Sequence, residues 1–168
     1  MALEVKIIKD TISPKLAQLI RECRDPKKIL EAMGTSLVSV TKRAFNDPSL
    51  RPQTWAEVKK SSGAPLKRSG TMWQSIRVTD LKTNSVTVGT DRPYAIYHQY
   101  GSKPYVIRPK GKKALSWPGA KHPVKQVNHP GLPARPFFPF DQNGKMIPTA
   151  IRQVEAAAKA ALAALLKR

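Results

Sequence analysis

Apolar residues recur at spacings of three and four in three stretches of the chain and alternate with polar ones in its middle. Leu16, Leu19, Ile20 and Cys23 follow Ser13-Pro14, an N-cap and a proline suited to the first helical position, and predict a helix of about 11 residues. Asp25-Pro26 repeats the device, and Ile29, Leu30, Met33, Leu37, Val40, Ala44 and Phe45 predict a longer amphipathic helix ending before Asn46-Asp47-Pro48. These helices pack against a sheet or against each other. A third helix starts at Ile147-Pro148-Thr149, with Ile151, Val154, Ala158, Ala161, Leu162 and Leu165 as one stripe and Lys167 and Arg168 complementing its dipole. Before them all, Val5, Ile7 and Ile8 fit either a short strand or a packed arm.

The middle of the chain changes period. Ser69 to Ile76 places a hydroxyl residue before Met72 and Ile76 at i,i+4 spacing, a capped single helical turn. Ile76 and Val78, then Val86 and Val88, alternate with polar neighbours around Thr83-Asn84-Ser85, which predicts an antiparallel hairpin over 75–90 ending at Gly89. Tyr94 to Tyr100 is a short helix with Gly101 as its terminator. Tyr105 to Arg108 and Lys113 to Trp117 predict a second hairpin, over 104–117, with a basic tip at Pro109 to Lys112. Pro118 to Pro133 fits no regular element. Trp55 is the anchor of the loop 47–65. The expected fold is α+β in one domain, 1–168: N-terminal helices over 13–46, a sheet of two antiparallel hairpins over 66–117, an extended basic, proline-rich loop over 118–133 and a C-terminal helix over 148–167.

Charge adds a partner to this picture. The 168 residues carry 30 Lys and Arg against 11 Asp and Glu, a net of +19, and 18 of the basic but only 4 of the acidic residues follow Pro65. No acidic residue occurs between Asp91 and Asp141. Such a surface attracts a polyanion or an acidic protein face, less so as salt rises. Composition excludes other classes. The single cysteine, Cys23, forms no internal bridge and suits a reducing cytosol. The N-terminus lacks the apolar core of a signal peptide, and no window supplies the roughly 18 apolar residues of a membrane span.

Catalytic chemistry finds little to work with. The carboxylates are few and scattered, no phosphate-binding glycine loop occurs, and His98, His122 and His129 have no ligand spacing or cysteine partners, so neither cofactor nor metal is expected. Capping accounts for the hydroxyls of Ser69 and Ser75. Leu132 to Phe140 places three phenylalanines among three prolines, a stiff apolar segment that either seals the core or forms an adhesive surface. Phe137 is assigned to the core; Phe138 and Phe140 are open. Arg135 has two candidate carboxylates, one on an adjacent subunit and its own Asp91.

The order SGTMWQSI, VTVGT, PYAIYHQYG and LPARPFF, preceded by Phe45-Asn46-Asp47-Pro48 and Trp55, resembles the virion morphogenesis or tail-completion family of tailed bacteriophages from about Ile29 to Phe140. Its landmarks here are Ser69, Gly70, Met72, Ile76, Gly89, Tyr94, Tyr100, Gly101, Pro136 and Phe137. The resemblance implies a non-enzymatic assembly protein that completes the head-proximal end of a tail so that it joins the head, located in the virion tail or neck and in the host cytoplasm during assembly. It implies a homo-oligomeric ring of sixfold or threefold symmetry, sixfold being the expectation in the virion, meeting the tail tube or terminator and the head connector; the sequence itself argues for no membrane partner. Tyr105, Arg108, Lys110, Lys112, Lys113, Trp117, Arg135 and Phe138 are the interface candidates. Charge itself adds non-specific contact with phage DNA. The alternative is a basic nucleic-acid-binding protein, in which the hairpin tip grips phosphate while Tyr105 and Trp117 stack on bases.

Overall fold

The structure, a computed structural model, describes residues 17, 20–21, 26–56, 66–67, 69–111 and 113–167. Of the first expected helix, only Ala17, Ile20 and Arg21 are described, and they are helical; Cys23 and the strand-or-arm segment lie outside the described residues. The elements are α1 (Lys27–Ala44), a 3-10 turn (Pro48–Leu50), α2 (Thr71–Ser75), β1 (Arg77–Leu81), β2 (Val86–Gly89), α3 (Ala95–Tyr100), β3 (Tyr105–Ile107), β4 (Val127–His129) and α4 (Pro148–Leu166). Among the described residues, these four helices and two small antiparallel sheets make the α+β fold that the periodicities predict.

Helix α1 is the central layer. Lys42 and Arg43 in its last turn complement the dipole, and beyond it the Arg51 guanidinium donates to the carbonyls of Ala44 (2.6 Å) and Phe45 (3.2 Å), which the helix end would otherwise leave open. Asp47 then starts the 3-10 turn, its Oδ1 accepting from the Ser49 amide (2.9 Å) and hydroxyl (2.7 Å); these bonds hold its carboxyl below the usual range. One side of α1 meets the β1–β2 hairpin so closely at Gly34 that a Cβ there would lie 2.6 Å from Val86 Cγ2. The other side meets α4: Ser36 Oγ donates to the Gln153 carbonyl (3.2 Å) and Arg43 to the Gln153 side chain.

Two apolar clusters follow from this layering. Phe45, Trp55, Met72, Ile76, Ala95 and Phe137 form the larger, with Phe45 packed edge-on to Trp55 at 5.9 Å and tilted against Phe137 at 5.5 Å. Val40, Ala44, Leu50 and Ala150 form the smaller, between α1 and α4. Phe137 is fully buried, as assigned, and Trp55 is the anchor expected.

The hairpin β1–β2 forms as predicted, with a register shift between Val78 and Asp80. The second pairing differs. Tyr105, Val106 and Ile107 do not fold back on Lys113 to Trp117; they pair with His129, Asn128 and Val127, so a strand lies inside the stretch expected to hold no regular element. The two ladders form separate two-stranded sheets. Local chemistry misled here because the turn is not local: Ser102 and Leu132 exchange both backbone bonds (2.9 and 3.1 Å) and zip the chain together 30 residues apart. On α4 the buried face runs through Ala150, Val154 and Leu165, which leaves Ile151 on the exposed side.

Candidate assembly interface

Three motif segments meet in one seam. Helix α3 presents Ala95 and Gln99, four residues apart, to the interior. The buried Gln99 Oε1 accepts from the amides of Phe137 (3.1 Å) and Phe138 (3.0 Å), two donors that an extended, proline-flanked segment cannot satisfy in a ladder. Arg135 N donates to the His98 carbonyl (2.7 Å), Trp55 Nε1 to the Pro136 carbonyl (2.8 Å), and Arg135 Nε to the Ala56 carbonyl (3.1 Å). Burial, with the Arg135 charge added, keeps the His98 imidazole below its ordinary value. Upstream, Ser75 Oγ donates to the Met72 carbonyl (2.7 Å) and meets Thr90 Oγ1 at 2.5 Å, tying SGTMWQSI to VTVGT. The capping assigned to the Ser69 and Ser75 hydroxyls is not what is seen: the N-cap of α2 is Gly70 in the left-handed region, Ser69 Oγ only accepts from Thr71 N at 3.4 Å, and Ser75 ends the helix.

From this seam projects an arm, residues 102–132. Its base is fixed by close backbone approach. Gly101 has φ of 77°, and a Cβ there would lie 2.7 Å from the Leu132 carbonyl oxygen; Gly131 has φ of 87°, and a Cβ there would meet the Ser102 carbonyl oxygen more closely still. Only glycine adopts both conformations without strain. Above the base, β3 and β4 pair, with the Tyr105 and His129 rings stacked at 4.8 Å. Farther out, Leu115 and Val124 form a bridge, and Ala120 N donates to the Trp117 carbonyl (3.0 Å) to close the tip.

Beside the arm lies an aromatic shelf. Ile96, Tyr97 and Tyr100 of α3 are exposed, Tyr100 by 66 %. Tyr100 stands between two concavities. One, of about 430 Å³, is lined by Pro93, Ile96 and Phe138; the other, of about 560 Å³, by Gln53, Asp141 and Asn143.

The interface candidates divide between these regions. Tyr105, Arg108, Lys110, Lys113 and Trp117 are all exposed on the arm, while Lys112 lies outside the described residues. Arg135 and Phe138 belong to the seam, where Phe138 is half-buried against Phe137 (4.8 Å). Asp91, one of the two partners considered for Arg135, is engaged by Arg77 (3.2 Å) and Arg92 (3.0 Å). Among the landmarks, Met72, Ile76, Pro136 and Phe137 are buried and Tyr94 and Tyr100 exposed. Sequence reasoning passed over Gln99 and Arg51. The signal for Gln99 was its place on the Ala95 face of a short helix.

Among the described residues no group of three or more His, Cys, Asp or Glu is arranged to hold a metal ion, and no helix is long and apolar enough to cross a membrane. The described residues thus form a compact core that carries an exposed basic arm and an exposed aromatic shelf. The chain belongs to the phage virion morphogenesis family, whose model matches residues 8–154. That family is one of phage structural and assembly proteins, generally not catalytic, and membership gives this chain a role in virion assembly. Comparison with curated proteins and with solved structures gives no match.

Proposed function

We propose that the protein completes the head-proximal end of a phage tail and so enables the tail to join the filled head. Several copies act as a ring, sixfold in the virion, located at the tail or neck between the tail tube or terminator and the head connector. Closed symmetry requires each copy to present two complementary surfaces, and the arm and the aromatic shelf supply two chemically distinct ones. The protein acts as structure and not as an enzyme.

The observation that carries this reading is the arm. It extends from a seam made of the family's own landmarks, and its candidate contact residues Tyr105, Arg108, Lys110, Lys113 and Trp117 are exposed. An isolated two-stranded ribbon is marginal in water, so one held at its base and exposed above it gains from packing against a neighbour.

Electron microscopy of a lysate from the parent phage carrying an early stop codon in this gene tests the role. Filled heads and tube-bearing tails are expected to accumulate separately and to join when the purified protein is added. Joined particles in normal numbers without the protein would contradict the proposal and favour a nucleic-acid-binding role apart from assembly.

A further inference from the structure

We propose that the arm grips the phosphate backbone of double-stranded DNA through a break in its own ladder. The pairing advances from Ile107↔Val127 to Leu115↔Val124, eight residues on one limb against three on the other. The described residues between Ile107 and Leu115 therefore have only Lys125 and Gln126 opposite them. Arg108, Lys110, Lys113 and Lys125 all fall on this break, and all four are exposed. The ion pairs of Asp80 and Asp91, both off the arm, are made with Arg77, Lys82 and Arg92 and not with these four cations.

Shape and charge both favour a duplex over an acidic protein face. The major groove admits a two-stranded β-ribbon, and the duplex offers about one charge per 1.7 Å of its axis, so a row of cations on a narrow ribbon meets phosphates wherever it lands. The rings near the ribbon do not argue for single strands: Tyr105 is stacked on His129 at 4.8 Å, which occupies one of its faces. Because Ser102–Leu132 pairing and the two positive-φ glycines fix the arm's base, less freedom is lost when the cations engage. The inference does not depend on the tail-completion reading, since it is tested on the purified chain alone.

The test is a salt titration of the full-length protein with a short labelled duplex, read by anisotropy and by the emission of Trp117, which is half-exposed on the arm. Binding is expected with a log–log salt slope near −0.9 per phosphate contacted. Replacing Arg108, Lys110 and Lys113 together by Gln is expected to reduce the slope by about 2.7 and to weaken binding at 0.1 M salt by roughly two orders of magnitude. Removing the same charge off the arm, by Lys82→Gln, Lys145→Gln and Lys159→Gln, is expected to leave the slope nearly unchanged. The proposal is overturned if the arm variant keeps the wild-type slope, if the off-arm variant loses as much, or if polyglutamate at equal charge binds as tightly as the duplex. The last result would identify the arm's partner as an acidic protein face. Circular dichroism of each variant distinguishes lost binding from lost fold.

Discussion

The seam and the arm share one stretch of chain but divide the protein's physics between them. Between Ala95 and Phe137 the chain contributes no buried hydrophobic residue to the described core, although that stretch holds the ribbon and the aromatic shelf and lies within the longest run without an acidic residue. The seam on either side is the reverse, with Phe45, Trp55, Ile76 and Phe137 closed to solvent and the backbone amides of Phe137 and Phe138 bonded to a buried side chain. Folding is thus concentrated in short, widely separated motifs, and the surface between them is free to meet a partner without weakening the core.

The largest effect that would break this division is loss of the seam's central ring. Phe137→Ala leaves a cavity beside Phe45 and Trp55 and is expected to cost about 3–5 kcal/mol in chemical denaturation. Gln99→Leu strands two backbone donors and is expected to cost about 2 kcal/mol or more by the same measurement. Thr41 works in the opposite direction: its hydroxyl is fully buried and has no hydrogen-bond partner among the described residues. Thr41→Val is expected to raise stability by about 1 kcal/mol.

A smaller effect distinguishes the seam by pH. His98 titrates below the ordinary imidazole value of 6.5, chiefly through burial and secondly through Arg135. The unfolded chain therefore binds the proton first, and stability should fall as pH drops below 6.5 towards the folded value. Thermal melts should show that decline in the wild type and a flatter profile in His98→Gln. Smallest of all, Arg108→Gln, Lys110→Gln and Lys113→Gln together should move the melting transition by no more than the equivalent of about 0.5 kcal/mol.

What could be read in the sequence follows the same division. The hairpin β1–β2 was legible because Val78, Val86 and Val88 alternate beside a local turn, and α1 and α4 because their apolar positions repeat over five turns. Phe137 and Trp55 were legible as core from size and setting. The β3–β4 ribbon was not, since strands of three residues carry too little alternation, and their pairing is fixed by Gly101, Gly131 and the Ser102–Leu132 bonds at the arm's base. Gln99 was hidden because a polar residue on a short helix looks solvent-facing until the segment it satisfies, 38 residues away, is in place. On α4 the predicted stripe holds at Val154 and Leu165, while packing against α1 buries Ala150 and leaves Ile151 exposed, because an alanine is small enough to sit at the close helix contact.

The division itself is tested most directly by a chain in which a short glycine turn joins Ile107 to Val127, so that the ribbon remains and everything beyond it is removed. The purified variant would be added to extracts of separated heads and tails, beside the wild type, after a thermal melt of each. The account predicts the same cooperative melting and no joined particles. Joined particles at the wild-type yield would contradict it and move the contact to the aromatic shelf.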